Sequence, residues 1–228
     1  LYKAYSVIFI VFANVNFYMN PERSKEIIRK INAKCGEIIG FSFATRADQI
    51  IRNGSEYLRF FKDNGCYSIE LGVENGSNNV LKRFCKNTTA NQNRLAIKMI
   101  REHGIYVAVD YILFDPETSI EELKDNIIFM KSANIFGHYP PLLFNRIKPY
   151  PGTKFTQQFG YISDEDYFKH KSVNDIYECI QKYKEELHSR ISGFMDIIEL
   201  NIQAGKSDRS QKSDYIWLKM LPYNVFEK

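Results

Sequence analysis

The chain has little cysteine, glycine, proline or histidine, and it has no long apolar run. Its 228 residues include 12 Gly, 7 Pro, 4 Cys and 4 His. So little Gly and Pro excludes collagen-like and low-complexity classes. The four cysteines, Cys35, Cys66, Cys85 and Cys179, are too far apart to form a CxxC-type metal clip. Cysteines this sparse fit a reducing cytoplasm better than a disulfide scaffold. The longest apolar stretch, Val7 to Ala13, is far short of the roughly 20 residues a membrane span requires, so no membrane partner is expected. A basic n-region followed by a small-residue cleavage site is also missing. The net charge of +4 is spread along the chain without a basic stripe, so charge gives no support for nucleic acid as a partner. What is present is ordinary globular material: 44% hydrophobic, 25% charged and 14% aromatic residues.

Apolar runs alternate with helical patterns. Strands are expected at Val7–Phe12, Ile39–Ala44, Cys66–Val73, Ile105–Leu113 and Leu142–Ile147. Asn20-Pro21 supplies an N-cap and a first-turn proline for a helix reaching about Lys34. A short helix is expected over Ser55–Asn64, closed by Gly65. Thr89 with Gln92 and Ser119 with Glu122 have the spacing of capping boxes, opening helices that end near Gly104 and Ala133. Strands alternating with helices imply a parallel sheet with right-handed crossovers, either doubly wound or barrel-like. A long helix is expected from Asn174 to about Ala204, then a polar linker and a short apolar tail at Tyr215–Val225.

The faces of the strands separate the two architectures. Tyr67, Ile69, Leu71 and Val73 alternate with Cys66, Ser68, Glu70, Gly72 and Glu74. Ile105, Val107, Val109, Tyr111 and Leu113 alternate with Ala108 and Asp110. One apolar and one small or polar face suits a barrel that holds a ligand, because a doubly wound sheet is apolar on both faces. The alternative is that Glu70 and Asp110 pair inside a packed core. Polar residues gather after all five strands, where α/β sites form: Asn14 and Asn16, Thr45 and Arg46, Glu74 and Asn75, Asp115 and Glu117, Asn145 and Arg146.

The segments GFSFATRAD, LRFFKDNGCYSIELGVENGSNNVLKRFCKNTT, AIKMIREHGIYVAVDYILFDPETSIEEL and RIKPYPGTKF, in this order, resemble the radical S-adenosylmethionine (radical SAM) superfamily. Within it they look most like the group that often carries a cobalamin-binding domain. The resemblance covers residues 7 to about 156. It implies an α/β fold, a partial (β/α)6 TIM-like barrel with strands two to six present. That part would span residues 1–160, N-terminally incomplete, with a helical C-terminal extension over 161–228. The implied cofactors are S-adenosylmethionine, a [4Fe–4S] cluster and, in part of the group, cobalamin. The implied partners are a small-molecule or peptide substrate and a reductant such as flavodoxin or ferredoxin.

The resemblance also assigns cofactor-binding positions. Asn14 and Asn16 stand where the family has an acidic segment after its second strand; an asparagine accepts a hydrogen bond from an amine but supplies no charge. Arg46 matches the arginine after the third strand. Gly72, Glu74, Asn75 and Ser77 match the Gly-x-Glu-Ser-Gly-Ser segment after the fourth, a contact to the cofactor's polar groups. Phe114 and Asp115, in Phe-Asp-Pro-Glu-Thr, replace the commoner Gly-x-Pro-Gly-Glu and would lie near the adenine. Pro149 to Thr153 matches a structural turn. The C-x3-C-x2-C cluster motif is absent, and only six residues precede the first strand. The expectation is therefore the back portion of a longer radical SAM enzyme, inactive alone. Two other readings stay open: a cluster-free barrel that binds a small molecule or a partner protein, and a barrel enzyme using Glu70, Glu74 or Asp110 as acid–base groups.

Overall fold

A computed structural model describes residues 9–13, 16–135, 143–148, 150–160, 162 and 167–183. Its strands are β1 (Phe9–Phe12), β2 (Gly40–Arg46), β3 (Cys66–Glu74), β4 (Tyr106–Phe114) and β5 (Asn145–Arg146), in sheet order β1-β2-β3-β4-β5. The registered pairs are parallel. A doubly wound sheet reverses its strand order at a switch point, whereas this order follows the chain throughout, which is the topology of a (β/α) barrel. The fold is thus α/β with partial TIM-like barrel topology, as the alternation of faces implied. Glu70 and Asp110 are both exposed, so neither is buried in a packed core.

The chain groups into two compact units. The first comprises residues up to Val73 together with Asn87–Asp110. Here α1 (Pro21–Cys35) starts where Asn20 accepts a bond from the Arg23 amide at 3.1 Å, and it stops at Gly36 in the left-handed conformation. Two helices, α2 (Ala47–Asn53) and α3 (Ser55–Asp63), follow β2. Gly65 sits at φ 100°, and a Cβ there would meet the Ile39 carbonyl oxygen at 2.5 Å, so only glycine makes this turn into β3. The core is aromatic: Phe12 stacks on Phe17 at 4.2 Å, and Phe43 lies against Phe17, Tyr18 and Phe61.

The second unit comprises Glu74–Lys86 and the residues from Tyr111 onward. It holds the end of β3, α4 (Asn78–Arg83), the end of β4, α6 (Ile120–Ser132), β5, α7 (Lys154–Phe159) and a helix over residues 171–183. The helix α5 (Ala90–Glu102) lies in the first unit. Both expected capping boxes form. Thr89 and Gln92 open α5 with bonds of 2.8 and 3.2 Å, and Ser119 and Glu122 open α6 with bonds of 3.0 and 3.2 Å.

The differences from the sequence reading have physical causes. The helix α2 begins directly at Arg46 with no side-chain cap, and α4 begins at Ser77 with none either, so neither has a capping signature. The fifth strand is two residues long, and Leu142 lies outside the described residues. Of the helix expected at Asn174–Ala204, residues up to 183 are helical, starting at 171; the rest, with the linker and tail, falls outside the described residues. No helix among the described residues is long and apolar enough to cross a membrane.

Candidate functional site

The first unit holds three of the expected site residues that are described, Asn16 beyond β1, Arg46 at the end of β2 and Gly72 within β3. Asn16 is half-buried, and its Oδ1 accepts from the Thr45 hydroxyl at 3.1 Å. Arg46 is the last residue of β2 and pairs in register with Gly72 of β3. Its Nε donates to Asp48 Oδ1 at 3.0 Å. The side chain is 43% exposed, and its two terminal nitrogens make no bond among the described residues. Asp48 thus fixes the stem of a fork whose tines stay available, the geometry suited to a carboxylate or phosphate. Asn14 lies outside the described residues.

In the second unit β3 ends in a strained residue. Glu74 has φ 66°, a left-handed conformation unusual for a side chain of this size. Its Oε1 accepts from Lys86 Nζ at 2.6 Å, and Oε2 has no partner among the described residues. Asn75 and Ser77 are buried, and both are engaged. The Asn75 amide donates to the Ile112 carbonyl at 2.8 Å, and its Oδ1 accepts from the Ser77 amide at 2.8 Å. The Ser77 hydroxyl donates to Asp125 at 3.1 Å. The Gly76 amide donates to Asn126 Oδ1 at 2.8 Å, and the Tyr111 hydroxyl donates to the same oxygen. These bonds hold the Asn75–Ser77 backbone against α6 and leave Glu74 as the open side chain of the segment.

Phe114 and Asp115 are fully buried. Phe114 meets Phe168 and Tyr177 edge to face. Asp115 receives a bidentate bond from Arg83, at 3.0 and 2.7 Å, and caps its own turn by accepting from the Glu117 amide at 2.9 Å. The other edge of Arg83 grips Glu122 at 3.0 and 3.1 Å. Burial pushes the Asp115 carboxyl above the ordinary aspartate range despite the pull of Arg83. Burial also works against the charge on Arg83, but its bonds to Glu122 and Asp115 outweigh it and hold the proton more tightly than usual.

Arg83, Lys86, Glu122 and Asn126 were not singled out as site residues. Glu122 was visible only as a capping residue, and nothing local pairs Arg83 with a carboxylate 32 positions away. The cysteines do not fit a cluster. Burial raises the Cys66 thiol far above its ordinary value, Cys35 is half-buried, and Cys85 and Cys179 are exposed. Among the described residues no group of three or more His, Cys, Asp or Glu is placed to hold a metal ion. Arg46 in the first unit and Glu74 in the second each keep polar atoms open at a strand end.

No family model matches the chain. It is similar to 4'-phospho-dehydrooxetanocin synthase of Priestia megaterium, 28% identical over 158 residues, covering 63% of this chain and 20% of that protein. It is also similar to an uncharacterized methyltransferase of Pyrococcus horikoshii, 26% identical over 154 residues, covering 68% of this chain and 32% of that protein. Among solved structures it resembles the cobalamin-dependent S-adenosylmethionine radical enzyme OxsB with aqua-cobalamin bound. That match has a TM-score of 0.49 and 26% identity, covering 67% of this chain and 22% of the other. The chain thus spans a third or less of the curated relatives named here. At this partial coverage the similarity is to one portion of each relative, in line with the resemblance of its ordered motifs to radical S-adenosylmethionine enzymes.

Proposed function

We propose that this chain is the portion of a radical SAM enzyme that handles the polar groups of S-adenosylmethionine, in a protein that performs hydrogen abstraction or methylation on a small-molecule or peptide substrate. The observation that carries this reading is Glu74. A strained, left-handed glutamate ends β3 within Gly-x-Glu-x-Gly-Ser, with one carboxylate oxygen open. Backbone strain of this kind costs about 1 to 3 kcal/mol and persists where function requires it. Arg46 supports the reading from the end of β2, with its terminal nitrogens free to meet a carboxylate. When bound and reduced in the intact protein, the cluster would supply the electron that cleaves the sulfonium. No residue described here holds that cluster, so the chain alone would bind and orient without reacting. Electron supply would come from a flavodoxin- or ferredoxin-type partner, and cobalamin would serve where the reaction is a methylation.

Binding of S-adenosylhomocysteine, which needs no cluster to be chemically stable, tests the reading by calorimetry. The wild-type chain is expected to bind, and Glu74→Gln and Arg46→Met are each expected to weaken binding about tenfold or more, the loss of a charge-assisted hydrogen bond. Unchanged affinity in both variants overturns it. The absence of cluster ligands among the described residues favours a second reading, a non-catalytic barrel binding a small molecule or a partner protein. Selective binding of another ligand class, with none for S-adenosylhomocysteine, would support that reading.

A further inference from the structure

We infer that Lys86 is a positioning residue, which clamps one oxygen of Glu74 so that the other is presented to the ligand. The inference rests on the proposed role of Glu74 and deepens it. The short helix α4 ends in a Schellman turn: the Cys85 amide donates to Lys82, and the Lys86 amide donates back to Leu81 at 2.9 Å. This turn needs a left-handed residue, and Cys85 takes that place at φ 55°. The reversal sends the Lys86 side chain back to the end of β3, where its Nζ lies 2.6 Å from Glu74 Oε1. Two left-handed residues other than glycine therefore set one ion pair: Glu74, which is one of its members, and Cys85, which precedes the other.

Both partners are sheltered, at 19% and 31% exposure, so solvent screens the pair less than it would a surface bridge. A free glutamate rotates about its terminal bond and offers either oxygen in many directions. With Oε1 held, the carboxylate plane is fixed and Oε2 points one way. The ammonium also balances the carboxylate charge, so Glu74 acts as an oriented acceptor and not as a net anion. Lys86 itself need not touch the ligand. Its sequence neighbours give no hint of this role, because Lys82, Arg83 and Lys86 look like the ordinary basic end of a helix.

The test is a double-mutant cycle on S-adenosylhomocysteine binding to this chain, with Glu74→Gln, Lys86→Met and both together, and Lys86→Arg as the conservative variant. Lys86→Met is expected to weaken binding about tenfold, in the range of a lost charge-assisted bond. Lys86→Arg is expected to recover most of that loss, and the double variant to bind no worse than Glu74→Gln. A purely structural lysine would lower the melting temperature without coupling to Glu74. If Glu74→Gln weakens binding while Lys86→Met stays within twofold of wild type, or if the two losses simply multiply, the positioning role is wrong and the role of Glu74 stands. If Glu74→Gln binds as wild type does, the inference fails; if the wild-type chain does not bind, or if Glu74→Gln and Arg46→Met both bind as wild type does, the underlying reading fails with it.

Discussion

Arg83→Met is the sharpest test of how the loops after β3 and β4 are held. The guanidinium donates four bonds, two to Asp115 at 3.0 and 2.7 Å and two to Glu122 at 3.0 and 3.1 Å. Asp115 is fully buried, and the side chains of Glu122 and Arg83 are 9% and 13% exposed. Methionine fills similar space but leaves two sheltered carboxylates facing each other with no cation. Removing one partner of a buried ion pair costs about 3 to 5 kcal/mol. For a chain of this size that is a fall in melting temperature of about 6 to 20 °C. The loss has a predictable pH dependence. Burial already raises Asp115 in the folded state, with Arg83 opposing that rise. A carboxyl raised in the folded state contributes stability below its unfolded pKa of about 4 and loses it as pH rises through the folded value. Removing Arg83 raises the folded value further, so the defect is largest near pH 7.5 and shrinks toward pH 5. Urea melts at pH 5, 6 and 7.5, with m-values compared, measure both effects. A loss under about 1 kcal/mol at pH 7.5, or one independent of pH, refutes the reasoning.

Other expectations follow from single side chains. The Tyr18 hydroxyl is buried without a protein partner among the described residues, so Tyr18→Phe should be neutral or stabilise by about 1 kcal/mol in a urea melt. Burial holds the Tyr18 and Tyr111 hydroxyls protonated far above the ordinary range, so stability should fall above about pH 10 by roughly 1.4 kcal/mol per pH unit for each tyrosine. Melting temperatures from pH 8 to 11 should show that slope, and Tyr18→Phe should reduce it by one tyrosine's share. Cys85→Gly relieves a left-handed residue at a helix end and should raise the melting temperature by about 2 to 4 °C, or about 1 kcal/mol. Asn75→Ala strips partners from the Ile112 carbonyl and the Ser77 amide and should cost about 2 kcal/mol, whereas Glu74→Gln should leave the melting temperature within 2 °C of wild type.

The order of elements was legible because local chemistry wrote it down. Thr89–Gln92 and Ser119–Glu122 announce their helices through reciprocal caps, and Asn20-Pro21 does so through a cap and a preset φ. The alternation in β3 holds over its second half, where Ile69, Leu71 and Val73 are buried and Glu70 is exposed, and fails at its start, where Tyr67 is exposed while Cys66 and Ser68 are buried beside a register shift against β2. The helices α2 and α4 start without side-chain caps and are only seven and six residues long, so neither a cap nor a sustained periodicity announces them. Among the candidate site residues, position was readable and side-chain role was not. Residue type gives the bonds that Asn75 or Asp115 can make, but not that Ile112 or Arg83, 37 and 32 positions away, will take them.

This difference bears on how a site is recognised at the end of a strand. Polar residues gather at the ends of β2, β3 and β4, whereas Asn145 and Arg146 form β5 itself and do not follow it, but a polar atom removed from water needs a partner whether or not a ligand ever arrives. Asn75, Ser77 and Asp115 meet that need inside the protein, by bonding the Ile112 carbonyl, Asp125 and Arg83. Their side chains shape the loop backbone and have little left to offer a ligand. Glu74 and Arg46 differ in one respect that sequence does not record. Each is tied at one atom, by Lys86 and by Asp48, and open at the others. Half-satisfaction of this kind fixes direction while keeping hydrogen-bonding capacity, which a fully bonded or a fully mobile side chain does not do. The strain at Glu74 is consistent with this, since a left-handed glutamate has no advantage over glycine unless its carboxylate is needed where that backbone puts it.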